Sequence, residues 1–195
     1  MSDDLRDVPP LVLAAEKLAG EVDFEMSSSQ QTGMLLRTLA GSRPGGLFLE
    51  LGTGVGVGAA WMLDGMDPTT RLLTLEVHPE AAQLSRELLA GDDRVRVLNE
   101  DGIAWLEGYQ GRPFDLIFVD VGVLKYERRE LTLSRLAVGG LFVADDLLPQ
   151  PKWVATHAPR VHRFRAEIGG EPELNVTLLD WGSGLVVASR RAISR

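Results

Sequence analysis

Three features of this 195-residue chain predict a parallel, doubly wound α/β sheet. Short apolar runs alternate with helix-like stretches, the rhythm of β-α-β units. The run Leu47-Phe-Leu-Glu-Leu51 breaks into alternating glycines, Gly52-Thr-Gly-Val-Gly-Val-Gly58, and resumes as the helical Ala59-Ala-Trp-Met-Leu63. The next run, Leu72-Leu-Thr-Leu-Glu76, closes on an acid. Gly52, Gly54 and Gly56 permit a tight turn and bring bare backbone up to a ligand. Glu76, at the tip of the second strand, is placed to accept hydrogen bonds from ribose hydroxyls. An adenosine-bearing ligand is therefore expected.

Taken in order, the chain opens with helices over 11–18 and 30–39, the second closed by Gly41 and Pro44. Strands are predicted over 47–51, 71–77, 94–98, 114–119 and 141–144. Helices over 57–63, 79–89, 102–108 and 127–136 separate them. The runs Phe114-Asp-Leu-Ile-Phe-Val119 and Gly140-Leu-Phe-Val-Ala144 are apolar enough for strands covered on both faces. A helix near 160–168 then precedes two β-like runs, 174–179 and 185–188. Only Asp180-Trp-Gly-Ser-Gly184 joins them, a hairpin-length connection. Five parallel strands closed by an antiparallel hairpin depart from the ordinary dinucleotide-binding topology.

Composition narrows the function classes. The length suits a single domain over 1–195. A net charge of −8 argues against a broad nucleic-acid-binding surface, although Arg160, Arg163 and Arg165, and Arg190, Arg191 and Arg195, form local basic groups. The absence of cysteine removes thiolate nucleophiles, disulfides and Cys-ligated zinc. No stretch reads as a membrane span, and the acidic first residues lack the order of a signal peptide, so a cytoplasmic location is expected.

Gly54-Val-Gly-Val-Gly-Ala59 fits the dinucleotide fingerprint only loosely. Glu50 lies just before the first glycine, where a dinucleotide site needs no carboxylate, and no second domain remains for a hydride-transfer substrate. The chain resembles instead the class I S-adenosylmethionine-dependent methyltransferases, and within them the catechol and caffeoyl-CoA O-methyltransferase group. The motifs that carry the resemblance are Glu50-Leu-Gly-Thr-Gly-Val-Gly56, Glu76, Asp101-Gly102, Phe114 to Asp120, Gly139 to Asp146, and Met26-Ser-Ser28 with Gly33 beyond it.

The resemblance implies a Rossmann-like seven-stranded sheet of order 3-2-1-4-5-7-6, the last strand antiparallel, with residues 1–45 closing over the cofactor. It implies S-adenosylmethionine bound by Ser28, Glu50, Gly52, Thr53, Gly54, Gly56, Glu76, Val77, Asp101, Gly102 and Asp120. It also implies a small-molecule hydroxyl as acceptor and a homodimer. The rival reading of Asp101 is a helix cap, and Trp105 is read as a core residue rather than an adenine platform. Without catalysis, the same fold would serve as a cofactor-binding protein.

Asp120, Asp145 and Asp146 fall at neighbouring strand tips, beyond which ligands bind in such sheets. Three carboxylates there suit Mg²⁺ or another hard divalent cation, and the resemblance gives these positions to a metal that lowers the pKa of the acceptor hydroxyl. Two residues depart from that pattern. Asp146 replaces the more usual Asn, and Val123 stands where metal-dependent relatives have a lysine, with Lys125 two residues displaced. Lys125 is the candidate general base; His157, with an imidazole suited to proton transfer, is the alternative. Gln150 and Trp153 are candidate walls of the acceptor pocket.

Overall fold

A computed structural model describes residues 8–150 and 153–192. The acidic first seven residues and Arg195, both read in the sequence, lie outside that range. Two helices lead, α1 (Pro10–Glu21) and α2 (Gln30–Gly41). The alternating body comprises β1 (Leu47–Leu51), α3 (Val57–Gly65), β2 (Arg71–Leu75), α4 (Pro79–Leu89), β3 (Val95–Leu98), α5 (Gly102–Gly108) and β4 (Phe114–Val119). It continues through α6 (Gly122–Tyr126), α7 (Arg129–Ser134), β5 (Leu136–Ala144) and α8 (His157–Ile168). The hairpin β6 (Leu174–Leu179) and β7 (Leu185–Arg190) ends it. The strands form one seven-stranded sheet in the order β3-β2-β1-β4-β5-β7-β6, in which only β7 runs antiparallel to its neighbours.

Period-two alternation assigns each strand residue to a face. Leu49, Leu51, Ile117, Val119, Phe142 and Ala144 pack on one side with Leu106 of α5, Leu124 of α6 and Phe164 of α8. Phe48, Leu72, Leu116, Phe118 and Val143 pack on the other with Leu36 of α2, Met62 of α3 and Ala82 of α4. Helix α3 is buried from Val57 to Leu63 because α1 covers its outer face, Val12 and Ala15 meeting Ala60 and Trp61. Helix α2 approaches α3 closely at Gly33, where a Cβ would run into the Trp61 ring.

The structure corrects four of the predicted elements. β2 stops at Leu75, because the Gly52 and Thr53 amides both donate to its carbonyl and end the ladder there. The helix expected over 127–136 is only α7, Arg129–Ser134; the short α6 ahead of it was not foreseen, and Leu136 already belongs to β5. Phe114 pairs with Leu136 but Leu116 with Leu141, so β5 bulges around Gly139, which has φ +75°. Helix α8 begins at His157, ahead of Pro159; proline is tolerated in a first turn because its missing N–H would be unpartnered there anyway.

Candidate active site

A cleft of about 930 Å³ opens above the carboxyl ends of β1, β2, β4 and β5. One end of it is built by the stretch from β1 to β2. The left-handed Gly52 (φ +98°), Gly54 (φ +53°) and Gly56 (φ +101°) turn the chain from β1 into α3, and Gly56 caps that helix. A Cβ on Gly54 would also strike the Phe24 ring, which lies over the loop, at 2.8 Å. Glu76 bridges loop and strand tip, its two oxygens accepting from Gly54 N at 2.8 Å and His78 N at 2.9 Å. Asp101 caps α5 by accepting from Ala104 N at 2.9 Å. Capping leaves it on the cleft wall beside Gly102 and the exposed Val77.

Glu50 lies beneath this loop. In β1 it pairs with Thr74 of β2, whose hydroxyl donates to Glu50 Oε2 at 2.5 Å, while a Cβ on Gly58 would collide with Glu50 Oε1. The bare Gly58 is therefore what makes room for a carboxylate under the helix start. Burial pushes the Glu50 carboxyl up to about 8; the Thr74 hydrogen bond opposes the shift, and the charges of Asp120 and Glu76 add to it.

The segment between α1 and α2 walls the same end. Ser27, Ser28 and Ser29 all line the cleft, and Ser29 also caps α2 by accepting from Thr32 N at 3.2 Å. The Ser27 hydroxyl is buried without a hydrogen-bond partner, so this chain has a donor to spare for a polar ligand. The sequence pointed to Ser28 in this triplet; the unsatisfied hydroxyl belongs to its neighbour. Of the residues expected around the cofactor, Ser28, Glu50, Gly52, Thr53, Gly54, Glu76, Val77, Asp101, Gly102 and Asp120 share the cleft, whereas Gly56 lies behind it as the cap of α3.

At the other end stand the tips of β4 and β5. Burial pushes the Asp120 carboxyl up to about 7, with Lys125 opposing the shift and Asp145 and Asp146 reinforcing it. Asp145 is buried, and both of its oxygens are engaged. Thr32 Oγ1 donates to Oδ2 at 2.8 Å, while Ser183 Oγ and the Asp146 amide donate to Oδ1. Ser183 is brought there by the β6–β7 turn, which is held against the end of β5 by bonds from Leu147 N and Leu148 N to Gly184 O and Ser183 O. Asp146 adopts a left-handed conformation (φ +64°) that turns its carboxylate away from Asp145. It accepts from Trp153 Nε1 at 2.8 Å and pairs with His157 Nε2 at 3.1 Å.

The three tip carboxylates thus face separate partners, and among the described residues no three His, Asp or Glu side chains gather as a metal cage. The donor set does not fit the divalent ion that the sequence suggested. Lys125 is 2% exposed and is not on the cleft wall; Val123 and Leu124 of the same helix are. His157 does line the cleft, packed between the Trp153 and Tyr126 rings. Thr32 escaped the sequence reading because its partner Asp145 is 113 residues away. Trp105 stacks on Tyr109 at 4.7 Å and packs, partly buried, against the core, as the sequence reading held.

Comparison with known proteins agrees with this geometry. A family profile described as a methyltransferase domain matches residues 49–147. The catechol O-methyltransferase of Mycobacterium tuberculosis is 34% identical over 149 residues, which cover 73% of this chain and 66% of that relative. The cofactor-bound Rv0187 of MTB superposes with a TM-score of 0.85 at 27% identity, covering 96% of this chain and 92% of that one. The O-methyltransferase of Bacillus cereus in complex with SAH has the same fold, with a TM-score of 0.84 at 23% identity over 97% of this chain and 94% of the other. The chain belongs to the methyltransferase-domain family, as an S-adenosylmethionine-dependent enzyme of its O-methyltransferase group.

Proposed function

We propose that this enzyme methylates a hydroxyl of a small, largely apolar molecule, with His157 as the general base. The observation that carries the reading is the continuity of one cleft, from Glu76 and Asp101 past the glycine loop to Asp146, Trp153 and His157. A nucleoside end and an acceptor end share one enclosure, so donor and acceptor can be held in line. S-adenosylmethionine supplies an already activated sulfonium methyl. Glu76 is placed for ribose hydroxyls, Ser27 and Ser28 for the amino-acid end, and Val77 and Gly102 for the faces of the adenine. The exposed Met26, Val123 and Val154, together with Trp153, give the acceptor end an apolar rim.

With Nε2–H directed to Asp146, the His157 ring keeps Nδ1 as its proton acceptor. As the acceptor oxygen bonds to the methyl carbon and the carbon–sulfur bond breaks, the hydroxyl proton passes to the imidazole, and the Asp146 carboxylate stabilises the resulting cation. The acidic, cysteine-free composition suits a cytoplasmic enzyme, and the exposed Leu13 and Val22 of the first helical segment suit packing against a second copy of the chain.

Calorimetry with S-adenosylhomocysteine tests the cofactor site; absence of binding in folded protein would sink the reading. Turnover on a panel of simple phenols and alcohols tests the base. His157→Ala is expected to lower kcat about 100-fold while leaving S-adenosylhomocysteine affinity unchanged, and a variant with undiminished kcat would remove His157 from that role.

A further inference from the structure

We propose that the Lys125 ammonium is the built-in cation of the acceptor end, and that the acceptor is consequently held through one hydroxyl rather than by metal chelation of two adjacent oxygens. The inference rests on the methyltransferase reading of the cleft. Lys125 Nζ donates to the Asp145 carbonyl oxygen at 2.5 Å, lies 3.7 Å from Asp120 Oδ1 and sits 5.3 Å from the centre of the Tyr126 ring. The ammonium is thus enclosed by a carbonyl, a carboxylate and an aromatic face, the surroundings a buried cation needs.

The Asp145 and Asp146 oxygens a divalent ion would seek are already committed. Such ions take about six or more oxygens at roughly 2.0–2.6 Å. Both Asp145 oxygens accept hydrogen bonds from Thr32, Ser183 and the Asp146 amide. The Asp146 oxygens face Trp153 and His157 on the opposite wall. Only Asp120 remains, and an ion bound to it would be pressed against the buried ammonium that already balances it. Like charges at that spacing repel strongly in a desolvated site.

Without an ion to grip a vicinal pair, selection falls to shape and to the single base on the wall. The favoured substrate class is an aromatic or otherwise apolar molecule bearing one isolated hydroxyl.

Manganese titration followed by electron paramagnetic resonance, on the full chain saturated with S-adenosylhomocysteine, tests the cation directly. No stoichiometric uptake is expected up to about 1 mM Mn²⁺. One ion bound per wild-type chain, and lost in Asp120→Asn, would overturn the proposal without needing a lysine variant to fold. Lys125→Met, if it retains S-adenosylhomocysteine affinity, is expected to bind Mn²⁺ at least about tenfold more tightly than wild type; no gain would refute the ammonium's part. In EDTA, an acceptor with one hydroxyl and its vicinal-diol analogue should turn over within about threefold of each other. Turnover confined to the diol and abolished by EDTA would overturn the substrate class. Failure to bind S-adenosylhomocysteine would instead count against the methyltransferase reading, and the manganese result would remain interpretable by itself.

Discussion

At the cofactor end of the cleft the chain shapes its surface mainly with backbone, whereas at the acceptor end it relies on side chains that reach across the fold. The Gly52, Thr53 and Gly54 amides are tied to the Leu75 carbonyl and to Glu76, all within one strand–loop–helix–strand unit. Asp145, by contrast, depends on Thr32 from α2 and Ser183 from the last hairpin, and Asp146 depends on Trp153 and His157. The first arrangement fixes the loop's backbone against β2, giving a set shape to a ligand whose structure does not change between enzymes. The second can be altered residue by residue, which is how one fold can serve different acceptors.

The sharpest way to break this contrast is to strain the loop. Gly54→Val places a branched side chain at φ +53° against Phe24. It is expected to weaken S-adenosylhomocysteine binding about 1,000-fold by calorimetry, and retained affinity would show that the loop adapts as readily as the acceptor wall does. Glu50 offers a second probe. Its carboxyl is raised from 4.5 in the unfolded chain to about 8 in the folded one, so the native state holds a proton that the unfolded state has released. The stability it contributes is fully present below about pH 4.5 and is lost as pH rises through about 8. Glu50→Gln should therefore raise the melting temperature of the ligand-free protein by about 5 °C at pH 8.5 and by less than about 1 °C at pH 5. An equal shift at both pH values would show that the side chain acts through packing alone.

The smallest of these effects is expected at the acceptor end. Ser183→Ala removes one donor from the buried Asp145 and should lower the melting temperature by about 3 °C. Turnover should fall while S-adenosylhomocysteine affinity stays unchanged. Equal losses of both would mean that the two ends are energetically one site.

The same contrast explains what could be read from sequence. The glycine loop, Glu50, Glu76 and Asp101 belong to motifs readable from a single strand–loop–helix–strand stretch and the helix start at Asp101. The order of the strands followed from the resemblance those motifs carried. The early end of α7 was hidden because the bulge at Gly139 recruits Leu136 into β5, a preference set by pairing with Phe114 rather than by local propensity. The fate of Lys125 was hidden for a related reason. Its position two residues beyond Val123 was visible, but its burial beneath Asp120 and against the Asp145 carbonyl depends on how the short α6 closes on the sheet. Carboxylates adjacent in sequence suggested a metal, yet the left-handed turn at Asp146 sends the neighbouring pair to different walls.

The bonds from Thr32 and Ser183 to Asp145 also set an order of assembly. They join positions 151 residues apart through an aspartate between them. During synthesis, β1 to β4 and the glycine loop have all the chain they need once β4 has emerged. Asp145 must wait for Ser183, 38 residues further along the chain, before its second oxygen is satisfied. A nascent chain can therefore acquire the surface that holds the methyl donor well before it acquires the one that receives the methyl, and a donor bound early would stabilise the half-built sheet.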